Sequence, residues 1–188
     1  MSTLRILIGC TGSIGAINLP QYVMELKKIE CEIKLILTEE SSRFVQPLVM
    51  ECLVDDVYTD ELQANKSAPF HIELASWCDV MLILPITANS MGKAAAGIAD
   101  NVLLSTLIAC DKPVIMVPNM NEKMWHSRIV QRNVETLKSL DMIVIPPTIQ
   151  ETYIASEKAY KTTLGMLQPK QLLHMLENSV HLEKEIIN

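Results

Sequence analysis

Residues 113–125 have the sequence P-V-I-M-V-P-N-M-N-E-K-M-W, an apolar run followed by a polar turn. The run Pro113–Val117 predicts a buried strand, and the segment after the turn is compatible with a helix. Ligands of open α/β sheets bind at the carboxyl ends of the strands, so Asn119, Met120 and Asn121 are predicted to lie where a ligand binds. The two amides can donate and accept hydrogen bonds without charge. An ordinary strand-to-helix turn also uses asparagine, so this stretch alone does not decide the function.

Apolar runs that predict strands alternate with helix-compatible segments along the chain. The predicted strands are Leu4–Ile8, Glu32–Leu37, a brief strand near Val57, Val80–Leu84, Pro113–Val117 and Met142–Ile145. This alternation predicts a parallel sheet with helices on both faces, and therefore an α/β fold. We expect a single domain over residues 1–188, with a core of about 4–146 and a final helix at about 169–180.

The segments between the strands carry more specific predictions. A helix is predicted from the glycine turn to about Ile29, kinked or restarted at Pro20. Residues 91–110 are predicted as one helix rich in small residues, and residues 59–69 as an irregular surface loop. Residues 146–168 have no clear period, and a loop of that length in a compact domain is usually functional or mobile.

Composition excludes several classes of protein. Of 188 residues, 49% are hydrophobic and 20% are charged, and the net charge is −6, which is typical of a folded domain. No cluster of lysine and arginine stands out, which argues against a nucleic-acid surface. No apolar run approaches the roughly 20 residues of a membrane span, and no signal peptide is predicted. Five cysteines without C-x-x-C or metal-binding spacing predict reduced thiols in a cytoplasmic protein.

Polar residues follow three further strand ends. The glycine-rich turn G-C-T-G-S-I-G (9–15) can bring backbone N–H groups to an anion at a helix N-terminus, although its spacing is not that of a dinucleotide fingerprint. The stretch P-I-T-A-N (85–89) likewise follows the predicted strand Val80–Leu84, and the hydroxyl residues Thr38, Ser41 and Ser42 follow the predicted strand Glu32–Leu37. Each group alone is explained by helix capping. Three polar strand ends facing one crevice favour a flat cofactor that carries a phosphate.

One histidine has a suggestive position. His71 opens a predicted short helix, residues 71–78, after a polar loop. A single histidine is more often a surface or capping residue than a catalytic base. His126, His174 and His181 are predicted to be surface residues. No Ser-His-Asp pattern and no His/Cys metal constellation is visible, so no metal site is predicted.

Together, G-C-T-G-S-I, His71, P-I-T-A-N and P-N-M-N-E-K-M-W resemble the motifs of the homo-oligomeric flavin-containing cysteine decarboxylases, in order and approximate spacing. The resemblance covers about residues 4–170. Within that family the chain is most similar to lantibiotic peptidyl-cysteine decarboxylases of the epidermin and mersacidin type. The resemblance implies a Rossmann-like (flavodoxin-type) three-layer fold, with FMN as the cofactor and FAD as the alternative. It also implies a homotrimer that is often assembled further into a dodecamer.

The resemblance also implies roles for individual residues. His71 matches the family's catalytic histidine, which accepts the substrate thiol proton, and Asn121 matches the asparagine that binds the departing carboxylate. The implied cofactor-binding residues are Gly12, Ser13, Ile14, Thr38, Ser41, Ser42, Pro85, Thr87, Ala88, Asn89, Asn119 and Met120. The implied substrate-binding residues are Asn121 and, in a substrate clamp at about 147–168, Tyr153, Ala155 and Ser156.

The clamp separates two branches of the family. Phosphopantothenoylcysteine decarboxylases carry a flap cysteine there that returns a proton and reduces the intermediate, whereas residues 151–169 contain no cysteine. Ser156 cannot perform thiol redox chemistry. The resemblance therefore implies oxidative decarboxylation of the C-terminal cysteine of a ribosomally made precursor peptide to an enethiol, with other lanthipeptide-modifying enzymes as further partners.

Three alternatives remain open at this stage. They are a phosphopantothenoylcysteine decarboxylase of coenzyme A biosynthesis, a non-catalytic binding subunit and a flavodoxin-like electron carrier. The missing flap cysteine disfavours the first. The presence of both His71 and Asn121 argues against the other two, because neither binding nor electron transfer needs this pair.

Overall fold

A six-stranded parallel sheet forms the centre of the molecule. The computed structural model describes residues 3–64, 69–154 and 157–176. The strands are β1 (Leu4–Cys10), β2 (Cys31–Leu37), β3 (Asp56–Thr59), β4 (Val80–Ile86), β5 (Val114–Pro118) and β6 (Ile143–Val144). Their order is β3-β2-β1-β4-β5-β6, so the direction in which strands are added reverses between β1 and β4. Such a reversal opens a ligand crevice at the carboxyl ends of these two strands.

Helices cover both faces of the sheet. They are α1 (Leu19–Leu26), α2 (Pro47–Glu51), α3 (Asp60–Ala64), α4 (Phe70–Trp77), α5 (Ala88–Ala95), α6 (Val102–Ala109), α7 (Glu122–Trp125), α8 (Arg128–Ser139) and α9 (169–176). Successive residues of a strand point to opposite faces. Thus Ile6 and Ile8 pack with α1, α2 and α9, while Leu7 packs with α4, α5, α6 and α8. The predicted three-layer α/β fold is confirmed, and no described helix is both long and apolar enough to span a bilayer.

The first helix begins as the sequence predicts. A 3-10 turn at Ile14–Asn18 follows the glycine-rich turn, and α1 then starts with Pro20 in its first turn. Proline is tolerated there because its missing N–H would have no intrahelical partner. The predicted strands also agree closely with the observed ones.

The prediction of one helix over residues 91–110 is wrong. Helix α5 ends at Ala95, and Gly97 then has φ +68°, a left-handed conformation that favours glycine. Asn101 starts α6, since its side chain accepts a hydrogen bond from the Leu104 N–H. The small residues around Gly97 suit a helix as well as a turn, which is why composition concealed the break.

The loop predictions need correction too. Residues 60–64 form α3 rather than an irregular loop. Residues 146–168, which have no apolar period, contain an antiparallel hairpin of β7 (Thr148–Ile154) and β8 (Ala159–Gly165). Most hairpin residues are exposed or half-buried on both faces, so the alternation that reveals a half-buried strand is absent. Thr163 anchors the hairpin by donating a hydrogen bond to Glu122 of α7 at 3.0 Å.

Candidate functional site

The glycine-rich turn after β1 carries a hydroxyl with no partner. Among the described residues, Ser13 Oγ is the only buried side-chain nitrogen or oxygen that makes no hydrogen bond. Gly12 lies against the loop after β2, where a Cβ atom would be 2.4 Å from Glu40 Cβ. An unpaired buried hydroxyl costs free energy, so it indicates a position where a ligand supplies the missing bond. Ser13 is therefore a candidate ligand-binding residue in this turn.

Thr11 fixes this turn to the neighbouring strand. Its buried hydroxyl donates a hydrogen bond to the Pro85 carbonyl and accepts one from the Thr87 N–H, both at 2.9 Å. The Leu84–Pro85 peptide bond, within β4, is cis. Thr11 is not among the site residues that the sequence predicts. Its only signal was a hydroxyl residue inside the G-C-T-G turn.

The hydroxyl residues after β2 hold one another in place. The Thr38 hydroxyl donates to the Cys10 carbonyl at 3.2 Å, while Ser41 and Ser42 both donate to the Thr38 carbonyl, at 2.8 and 3.3 Å. Their hydroxyl hydrogens are therefore engaged within the loop. Thr38 lines the crevice, so this loop shapes the wall of the site rather than offering free donors.

A cavity of about 440 Å³ opens beside these turns. Gly12, Thr38, Thr87 and Asn89 line it, so it joins the predicted residues that follow β1, β2 and β4. Thr87 also caps α5, because its hydroxyl accepts a hydrogen bond from the Ser90 N–H at 3.1 Å. Four other residues were predicted to bind the cofactor. Of these, Asn89 and Ile14 are exposed, Ala88 is half-buried, and Pro85 is buried in β4.

Acidic side chains also line the cavity. Asp100 is paired with Lys93, Glu40 lies 3.3 Å from Arg43, and an Asp60 oxygen accepts the Val102 N–H at 2.7 Å. These contacts satisfy most of the carboxylates that line the cavity. Glu40 lies directly against Gly12, and its pairing with Arg43 offsets its negative charge beside the glycine turn.

The turn after β5 reaches the same crevice. Asn119 Oδ1 accepts a hydrogen bond from the Gly15 N–H at 3.2 Å, and Met120 packs against the adjacent core. Asn121 is exposed and caps α7, its Oδ1 accepting the Lys123 N–H at 2.9 Å. No described residue accepts a hydrogen bond from Asn121 Nδ2, so this amide nitrogen can donate to a ligand.

His71 lies in the first turn of α4. Phe70, which precedes it at the start of α4, packs edge-on against Tyr58 of β3, with 5.0 Å between ring centroids. The edge strand β3 is four positions from β5, which at about 4.8 Å per strand corresponds to roughly 19 Å. His71 therefore lies near the β3 edge of the sheet, whereas Asn121 follows β5.

The hairpin presents an aromatic pair. Tyr153 of β7 and Tyr160 of β8 pack edge-to-face with centroids 5.4 Å apart, and both are exposed. Exposed aromatic rings at the end of an anchored hairpin are suited to contact a peptide. Ala155 and Ser156, which the sequence also implied for substrate binding, lie outside the described residues.

Comparison with known proteins identifies one family. The family model for flavoproteins, described as "Flavoprotein", matches residues 1–181. Mersacidin decarboxylase of Bacillus sp. (strain HIL-Y85/54728) is 30% identical over 173 residues, which cover 92% of this chain and 89% of that protein. Phosphopantothenoylcysteine decarboxylase of Mus musculus is 37% identical over 147 residues, covering 76% of this chain and 72% of the mouse protein.

Solved structures from both branches share the fold. A histidine-to-asparagine variant of EpiD complexed with the substrate peptide DSYTC has a TM-score of 0.84 and 29% identity, covering 92% of this chain and 98% of that one. A cysteine-to-serine variant of PPC decarboxylase complexed with pantothenoylaminoethenethiol has a TM-score of 0.85 and 29% identity, covering 96% and 100%. The FMN-dependent cysteine decarboxylase SpaF has a TM-score of 0.73 and 33% identity, covering 77% and 85%. Overall similarity is nearly equal for the two substrate classes and does not separate them.

Proposed function

This chain belongs to the flavoprotein family and is homologous to enzymes that decarboxylate cysteine derivatives; from this we propose that it oxidatively decarboxylates the C-terminal cysteine of a precursor peptide to an enethiol. The observation that carries the proposal is the lack of any cysteine in residues 147–168. A PPC decarboxylase variant in which cysteine is replaced by serine is complexed with pantothenoylaminoethenethiol, itself an enethiol. A hairpin segment without a thiol has no group to reduce such a product, so the enethiol is the expected end point.

FMN is the cofactor that we propose, with FAD as the alternative. The unpaired Ser13 hydroxyl supports a phosphate at the turn after β1. The related SpaF is an FMN-dependent enzyme. When bound, the flavin supplies the two-electron oxidation, and the protein supplies binding and orientation.

We propose that His71 and Asn121 are the catalytic residues and come from different subunits. The imidazole of His71 accepts the substrate thiol proton, and the Asn121 Nδ2 group donates a hydrogen bond to the substrate carboxylate. The four-strand separation within one chain supports a site completed by the partner subunit's His71. A homo-oligomer, such as the trimer that the family resemblance implies, then becomes a requirement for activity.

The precursor peptide is proposed to lie against the hairpin. Tyr153 and Tyr160 present their rings there, and Thr163 ties the hairpin to α7 beside Asn121. The EpiD relative is complexed with a peptide that ends in cysteine, which supports a partner of the same chemical class.

Replacing Ser13 by alanine is expected to weaken flavin binding without destabilising the flavin-free protein. The substitution removes a hydroxyl that has no partner within the described chain, so unfolding in urea is expected to be unchanged or slightly harder. Loss of a hydrogen bond to a phosphate is expected to raise the Kd for FMN roughly 10- to 100-fold, measured by fluorescence titration.

Ser41→Ala is the matched control, because the Ser41 hydroxyl donates a hydrogen bond to the Thr38 carbonyl at 2.8 Å. That variant is expected to lose about 1–2 kcal/mol of unfolding free energy. Equal FMN affinity of Ser13→Ala and the unmodified protein would remove Ser13 from the phosphate site.

The substrate assignment is tested by the mass of the product. We expect the peptide DSYTC, or a related peptide ending in cysteine, to lose carbon dioxide plus two hydrogens when incubated with the purified protein in air. Phosphopantothenoylcysteine is the competing substrate. Loss of carbon dioxide alone from that compound, with no change in the peptide, would reject the peptide assignment in favour of the coenzyme A branch.

A further inference from the structure

Two thiols lie together at the edge of the sheet opposite the crevice. Cys78 directly follows α4 and Cys110 directly follows α6, and the next strands, β4 and β5, start shortly after them. Both cysteines therefore sit at the amino-terminal ends of strands, away from the candidate site. Their Sγ atoms are 4.0 Å apart. Cys78 is buried and Cys110 is half-buried, so a small oxidant can reach the second thiol first.

We propose that Cys110 and Cys78 are an oxidation site, in which Cys110 is the reactive thiol and Cys78 closes an intramolecular disulfide with it. The oxidant is a hydroperoxide, for which hydrogen peroxide is the simplest probe. The Cys110 thiolate attacks one peroxide oxygen, the O–O bond breaks, and the released hydroxide takes up a proton to leave as water. The product at Cys110 is a sulfenic acid.

The second step consumes the buried partner. The Cys78 thiol loses its proton and its sulfur attacks the Cys110 sulfur, so the S–S bond forms as the S–OH bond breaks and a second water leaves. In sum, two thiols and one peroxide give one disulfide and two waters. Both electrons come from the two sulfur atoms, and no further reductant or oxidant is needed.

Local geometry favours Cys110 as the thiol that reacts first. Either thiol can donate to the other sulfur, and when the Cys78 S–H donates, the hydrogen bond lowers the pKa of the Cys110 thiol below that of an ordinary cysteine. The same contact, together with burial, raises the pKa of Cys78. The thiolate is the nucleophile in cysteine chemistry, so reactivity is directed to the more accessible sulfur.

Closing the bond requires modest movement. A disulfide has an S–S length near 2.05 Å, so the two sulfur atoms must approach by about 2 Å. Each cysteine is the capping residue that ends its helix, with extended backbone, so side-chain rotation can supply this approach without opening either helix. Both helices also pack into one hydrophobic cluster, through Leu74 of α4 and Leu104 of α6, which keeps the two ends adjacent.

The other cysteines provide internal controls. Cys10 is buried and desolvation raises its pKa to about 12, so it is protected from peroxide. Cys52 is exposed and has no thiol neighbour among the described residues. It reports on oxidation that depends on exposure alone.

The test treats the full-length protein with hydrogen peroxide, blocks remaining thiols with iodoacetamide, and maps peptides without reduction. The expected result is a peptide pair joined through Cys78 and Cys110 in monomeric chains, the loss of two of the five free thiols, and reversal by dithiothreitol. Cys52→Ser is expected to retain the cross-link. Full alkylation of both Cys78 and Cys110 at a dose that oxidises Cys52 would overturn the proposal, as would cross-links found only between chains.

A rate measurement tests the role of Cys78 separately. Cys78→Ala removes the donated hydrogen bond, and alkylation of Cys110 at neutral pH is expected to slow about tenfold. Cys78→Ser keeps a donor and is expected to recover part of that rate, although it cannot form the disulfide. Unchanged Cys110 reactivity in Cys78→Ala would contradict the assignment of Cys110 as the activated thiol.

Discussion

Replacing His71 by asparagine is expected to abolish turnover of a peptide ending in cysteine while the purified protein keeps its flavin and its oligomeric state. A side chain that accepts a proton in the transition state typically contributes about 10²–10⁴-fold to the rate, so kcat is expected to fall at least ~10²-fold. Asparagine has similar size and polarity but cannot act as a base near neutral pH. His71 is half-buried at the start of α4, so this substitution is expected to preserve the helix.

The matched control is His174→Asn, in which an exposed histidine of α9 is changed in the same way. Its kcat is expected to equal that of the unmodified protein. Flavin content is measured from the visible spectrum and turnover from the mass of the product. A yellow His71→Asn protein with full activity would remove His71 from the mechanism.

The two-subunit site adds a second readout for His71. Mixing inactive His71→Asn chains with inactive Asn121→Asp chains under conditions that exchange subunits is expected to restore part of the activity, because some interfaces then combine an intact His71 with an intact Asn121. No recovery in verified mixed oligomers would contradict a site shared between subunits.

Asn121→Asp is the second substitution with a large expected effect, and it separates two roles of the same side chain. Asn121 caps α7 through its Oδ1 atom, and aspartate caps helices equally well. Stability is therefore expected to be retained. Aspartate lacks the amide N–H donor and places a negative charge beside the substrate carboxylate, so kcat/KM is expected to fall at least ~10²-fold, of the order seen for lost transition-state donors.

Asn121→Ala completes the comparison, because it removes both the cap and the donor. It is expected to lose activity and in addition about 1 kcal/mol of unfolding free energy. Urea unfolding and peptide turnover measure the two effects independently. An Asn121→Asp protein that is fully active would show that Asn121 serves only as a helix cap.

The fold was predictable because its central strands β4 and β5 are buried on both faces. Segments such as Val80–Leu84 are continuous apolar runs, and burial of β4 along its whole length is the physical reason for that pattern. The hairpin of β7 and β8 gave no such signal. Its two strands pair with each other, and both faces of the hairpin are partly exposed. The break at Gly97 was hidden because alanine and glycine next to each other fit a helix or a turn.

The candidate site was only partly predictable for a topological reason. Chain order shows which strand precedes Asn119 and which precedes His71, but not that β3 and β5 lie four positions apart in the sheet. The link made by Thr11 between the turns after β1 and β4 was likewise invisible in the sequence, since Pro85 and Thr87 lie more than seventy residues after Thr11. Cys78 and Cys110 come together for the same reason, through packing of α4 on α6.

The most direct test of the oxidative assignment is the visible spectrum of the purified protein when substrate is added without oxygen. We predict that one equivalent of a peptide ending in cysteine bleaches the flavin absorbance, that the peptide has lost carbon dioxide and two hydrogens, and that air restores the colour. A protein that decarboxylates its substrate while the flavin stays oxidised would contradict this account, because electrons would then return to the product. A colourless protein that cannot be reconstituted with FMN or FAD would contradict it at an earlier step.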